Sequence, residues 1–130
     1  MSLVDAFILT HLREEGRIGR FSDFIIFIRD DEGQIPHFHF INKQAKKKQP
    51  KEGCICLEEP MYFIHPGKTA TLNHTGREDL VKFLLKPSRS MPSMTNYAYI
   101  CRMWNLYNPK SPQVNECRNM PDYTNIEKNK

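Results

Sequence analysis

Five consecutive apolar residues, Phe24-Ile25-Ile26-Phe27-Ile28, constrain this chain more than any other feature. β-branched and aromatic side chains favour an extended backbone, and an apolar run without polar alternation reads as a strand covered on both faces. The chain must therefore supply material above and below that strand. Asp30-Asp31-Glu32-Gly33 has turn chemistry, and Pro36 to Ile41 follows as a second strand, with Phe38 and Phe40 on one face and His37 and His39 on the other. Antiparallel pairing of the two is expected. Cys54-Ile55-Cys56-Leu57 with Met61-Tyr62-Phe63-Ile64 reads as a third strand, interrupted near Pro60 and ended by His65-Pro66-Gly67.

Three amphipathic helices are expected to provide the cover. Ser2 and Asp5 form a capping box for a first helix whose apolar stripe is Leu3, Val4, Phe7, Ile8 and Leu12, ending at Gly16. Thr75 and Glu78 form a second box ahead of Leu80, Val81, Leu84 and Leu85, and Pro87 forbids continuation. Ser93 is the expected cap of a third helix, in which Tyr97, Ile100, Cys101, Trp104 and Tyr107 recur at three- and four-residue spacing. From Pro109 the apolar period is lost, which predicts a polar flexible tail over 109–130 behind one domain over 1–108. The fold class expected is α+β, a small three-stranded, mainly antiparallel sheet with an N-terminal helix and two C-terminal helices packed on it.

With 130 residues, 39% of them hydrophobic, the chain supports one core and not two. No apolar run approaches the roughly 18 residues of a membrane span, because Asp5 and His11 interrupt the first one, so the expectation is a cytoplasmic protein with no membrane partner. Cys54, Cys56, Cys101 and Cys117 make no disulfide framework and read as reduced thiols.

Chemistry concentrates in two places. His37 and His39 leave the same face of a strand, so both imidazoles can meet one divalent transition metal; a third ligand would have to come from His65, His74, Glu58 or Glu59. Cys54 and Cys56 could complete a Cys₂His₂ set across strands, but structural zinc sites draw paired cysteines from a knuckle with two or more intervening residues. The spacing here reads instead as two small buried side chains. His74-Thr75-Gly76 is accounted for by the helix cap. No Gly-rich phosphate loop or nucleophile elbow occurs, so an enzyme is the less favoured class.

The second place is basic. Lys43, Lys46, Lys47, Lys48 and Lys51 fall together, with no acidic residue until Glu52, and on a loop between strands they would neutralise phosphates irrespective of base sequence. Lysines at such a tip also keep a hairpin soluble and unpaired, an equally ready account of the same residues. Arg13, Arg17 and Arg20 flank the first helix, and Tyr99, off the main stripe of the third, is the aromatic expected to be exposed.

Arg20-Phe21, the apolar strand, the acidic turn and Pro36-His37-Phe38-His39-Phe40 resemble a family of small bacterial domains of unknown function. That family has a Pro-His-Phe-His strand motif, a Trp near its end, here matched by Trp104, and some members encoded beside toxin–antitoxin genes. The resemblance implies a fold and a mobile-element or defence-linked setting, and transfers no catalytic residue. The function expected is therefore non-enzymatic binding of a nucleic acid or nucleoprotein through the lysine-rich loop, as in a phage or mobile-element accessory or counter-defence (anti-CRISPR-like) inhibitor. The alternatives are a metal-dependent hydrolase or nuclease using His37 and His39, with a carboxylate such as Glu58 as base, and an inhibitor acting on a protein target alone. Apart from that metal, no cofactor is expected.

Overall fold

The computed structural model describes residues 17–21, 23–30, 33–42 and 52–127. The helix expected over Leu3 to Leu12, Arg13 and the lysines from Lys43 to Lys51 lie outside the described residues. Among the described residues four strands form one antiparallel sheet in sequential order: β1 (Arg17–Phe21), β2 (Phe24–Phe27), β3 (His37–Asn42) and β4 (Glu52–Cys56). Two helices follow, α1 (His74–Leu85) and α2 (Asn96–Tyr107), and then a short 3-10 turn, Tyr123–Asn125. This is a small α+β fold, with four strands where the sequence promised three. Among the described residues no helix is long and apolar enough to cross a membrane.

The added strand is β1, which sequence periodicity does not reveal. Arg-Ile-Gly-Arg-Phe has weak strand propensity, and its conformation comes from pairing with β2, with a bulge between Arg17 and Gly19. Gly19 is needed where it stands, because a Cβ there would lie 2.8 Å from the Phe83 ring of α1.

One face of the sheet carries Phe21, Ile26, Phe38, Phe40 and Ile55, which merge with Leu80, Phe83 and Leu84 of α1 and Tyr97, Ile100 and Trp104 of α2 into one buried cluster. The caps differ from those the sequence suggested. Asn73 rather than Thr75 starts α1, its Oδ1 accepting from Gly76 N at 2.7 Å, and Thr95 rather than Ser93 starts α2, its Oγ1 accepting from Ala98 N at 3.1 Å. Each has a side-chain oxygen in reach of a first-turn amide, which is what a cap must provide.

The interrupted third strand proves to be a reversal. After β4 the chain turns back through 57–60, so that Cys56 N donates to Met61 O, Ile55 bridges Tyr62 antiparallel, and Phe63 N donates to Cys54 O at 2.9 Å. Residues 61–63 thus flank β4 instead of extending it, since Pro60 lies in a bend that a continuous strand cannot hold.

The polar tail expected from Pro109 is packed onto the domain as far as residue 127. Val114 and Tyr123 are buried; the Tyr123 hydroxyl donates to Cys56 O at 2.5 Å, and Arg77 of α1 donates to Thr124 O at 3.0 Å. Trp104 Nε1 donates to Pro112 O, and Glu127 bridges Met61 in parallel. Widely spaced anchors separated by polar residues show no helical or strand period, and for that reason the segment reads as a tail.

Candidate metal centre

The opposite face of the sheet is polar where burial is deepest. Alternation puts His37 and His39 of β3 on that face, and the register sets Phe27 of β2 and Cys54 of β4 on either side of His39. His37, His39 and Cys54 are each at most 1% exposed, and one donor atom from each lies within 4.8 Å of the others. The walls are aromatic: Phe27 stacks on His39 with ring centres 5.2 Å apart, Phe63 lies flat on His37 at 4.1 Å, and Trp104 closes on His37 at 5.3 Å.

Each imidazole is oriented through Nδ1. That of His37 is 2.7 Å from the Ile35 carbonyl oxygen, and that of His39 is 2.7 Å from Glu52 Oε2. An oxygen without a proton can only accept, so in the neutral rings the proton sits on Nδ1 and the lone pair on Nε2. Histidines that ligate metals are held in this manner, by a carbonyl or carboxylate behind the ring. Glu52 is itself fixed, its Oε1 receiving Arg29 Nη2 at 3.1 Å. Burial works to raise the Glu52 pKa, but the His39 hydrogen bond and the charges of Arg29, His39 and Lys68 outweigh it, so the carboxyl titrates below its ordinary range and is ionised at neutral pH.

Cys54 Sγ stands 3.2 Å from His39 Nδ1. A thiol nucleophile would need that nitrogen as its proton acceptor, yet its hydrogen is already committed to Glu52, so the trio is not arranged as a Cys-His-Glu nucleophilic relay. Two imidazoles and a thiol instead form the mixed nitrogen and sulfur set that suits zinc-class ions. In a tetrahedral zinc site neighbouring donors are about 3.3–3.6 Å apart, so binding an ion needs this group to contract and, because Cys54 Sγ lies on the Nδ1 side of His39, needs that thiol to swing toward Nε2. Cys54 also lines a cavity of about 230 Å³, with Tyr62, Phe63, Lys68, Ala70 and Thr71 among its other walls, which gives a small ion a way in.

Of the other candidates, His65 lies beside the group, its ring 5.9 Å from that of His39, and the rest are engaged elsewhere. Cys56 pairs with His37 in register but is absent from the donor group; burial, then Glu59 and Cys54, push its thiol up to about 11, so it keeps its proton. Glu58, the proposed general base, is ion-paired with Arg118 at 3.1 Å, and His74 is exposed beside Glu78. The carboxylate that reaches the histidines is Glu52, which the sequence showed only as the acid ending the lysine run. Tyr99 is half-buried against the core. Comparison of the chain with protein-family models, with curated proteins and with solved structures finds no match.

Proposed function

We propose that this chain is a small metalloprotein in which His37, His39 and Cys54 hold one zinc-class divalent ion between β3 and β4. The observation that carries the reading is the buried donor group itself, three ligand atoms within 4.8 Å, with Nδ1 of both imidazoles already secured by protein oxygens. Burial of all three donors supports a structural ion, one that clamps the hairpin together. The general base of a hydrolase has no support, because Glu58 is engaged by Arg118. Protein purified without chelator is expected to carry about one equivalent of zinc or a similar ion by elemental analysis, and less than about a tenth of an equivalent, with no uptake on adding zinc, would end this reading.

A second reading has its own observation. Ile41 pairs with Glu52, so residues 43–51 connect the two strands of a hairpin whose base is the donor group, and that segment contains Lys43, Lys46, Lys47, Lys48 and Lys51. Five ammonium groups on one connection support binding to a nucleic acid or nucleoprotein. Polarisation titrations with short RNA and DNA at two salt concentrations test it: affinity should fall steeply with salt, and also when Lys46, Lys47 and Lys48 become Ala. Affinity unmoved by that triple substitution would remove the surface.

A further inference from the structure

His65 stands beside the donor group without belonging to it, and the path of the chain explains why. The reversal at 57–60 lays Phe63 against Cys54 of β4 through the Phe63 N to Cys54 O bond, and Phe63 stacks on His37 with the rings 10° apart. Side chains two residues apart in an extended run leave the same side, so His65 follows Phe63 toward the histidines. A turn at Pro66-Gly67 then redirects the chain, closed by Lys68 N donating to His65 O at 2.9 Å, with Gly67 at φ +76° where a side chain would be strained. Ala70 N returns to Glu52 O, so both ends of this strap are tied to β4.

The spacing of the three rings has a chemical meaning. A metal about 2.0–2.1 Å from an imidazole nitrogen lies about 3.2 Å from the ring centre, so two imidazoles at a tetrahedral angle have centres about 5 Å apart. His37 and His39 are at 5.1 Å; His65 is 5.9 Å from His39 and 6.3 Å from His37. The three pairs are inclined by similar angles, 55°, 63° and 61°, so no two of these rings stack face to face and each can turn an edge toward a common point. Nδ1 of His65 is buried.

We infer that His65 is a fourth protein ligand, brought in by an inward shift of the strap of about 1 Å, so that the ion is held by three imidazoles and one thiolate. This rests on the metal reading of His37, His39 and Cys54 and deepens it. Four protein donors saturate a tetrahedral ion and leave no position for water, which makes the centre a closed one, and the strap 63–68 becomes the element that must lift for the ion to exchange.

Cobalt(II) added to the full chain tests this, because its visible bands report coordination and its near-ultraviolet sulfur band reports Cys54. The wild type should give intense four-coordinate bands that azide leaves unchanged. His65→Ala should keep the sulfur band, bind cobalt at least about tenfold more weakly, as loss of even an outer partner of a ligand does, and shift its visible bands on addition of azide. His65→Cys, which restores a donor, should recover indifference to azide. A His65→Ala spectrum identical to wild type, with the same response to azide, would overturn the fourth ligand while leaving the centre standing. A wild type that develops no cobalt bands at all would overturn both.

Discussion

His39→Gln is expected to abolish stoichiometric metal binding, lowering zinc content from about one equivalent to under a tenth while the far-ultraviolet circular dichroism stays folded. The residue is central to the donor group: it is 0% exposed, its Nδ1 meets Glu52 at 2.7 Å, and Cys54 Sγ is 3.2 Å from that nitrogen. An ion that binds only the native state stabilises it by mass action, by about 2.7 kcal/mol when its free concentration is a hundred times Kd. For a chain of this size that is a rise in Tm of about 10 °C. Wild type should show such a rise on adding zinc, and His39→Gln should show none. Glu52→Gln removes the anion behind the ring but leaves every donor in place, so affinity should weaken by about 10–100-fold without being lost. A wild-type Tm indifferent to zinc, or a His39→Gln variant that still gains as much as wild type, would contradict the whole assignment.

Tyr123→Ala should cost about 3–5 kcal/mol in urea unfolding, as large aromatic truncations in a core do. Its ring is 0% exposed against Phe38 and Tyr97, and its hydroxyl serves the carbonyls of Cys56 and Leu57. Tyr123→Phe keeps the ring and leaves those carbonyls without the donor, for about 1 kcal/mol. The same group predicts an alkaline limit. Burial first, and then neighbouring ionisable groups, raise the Tyr123 and Tyr97 pKa values above the ordinary tyrosine range. Above about pH 10 the unfolded chain releases those protons and the folded chain keeps them, so stability falls as pH rises through that value. The fall should be shallower in Tyr123→Phe, which has one such hydroxyl fewer. A Tyr123→Ala cost below about 1 kcal/mol would mean that residues 109–127 do not form part of the core.

What could be read beforehand followed from local chemistry. Phe24 to Ile28 and Pro36 to Ile41 declared themselves as strands, and the Phe38/His39 alternation already separated a core face from a polar one. The two later helices were visible in their apolar spacing, though each begins at a cap, Asn73 or Thr95, that competes with an equally good oxygen two residues away. β1 was hidden because its extended form depends on a partner strand, and the packed course of 109–127 because its anchors are isolated. The donor group was half legible. His37 and His39 pointed to a shared ligand, but Cys54 enters only once the β3 to β4 register sets it opposite His39, and Arg29 meets Glu52 across 23 residues of sequence. His65 was one of four candidate third ligands at the end of an expected strand, and nothing local singles it out, because nothing local says that the chain doubles back at 57–60.

That doubling back also orders how the molecule can be made. The carbonyls of Cys56 and Leu57 at the turn receive the Tyr123 hydroxyl, and Pro60, Met61 and Tyr62 bond or bridge to Glu127, so a turn synthesised near mid-chain waits for partners some 65 residues later. Because non-local contacts must be closed before they reward the chain, the hairpin of β3 and β4 is free to form early on the ribosome, whereas the core is not complete until Tyr123 has been made.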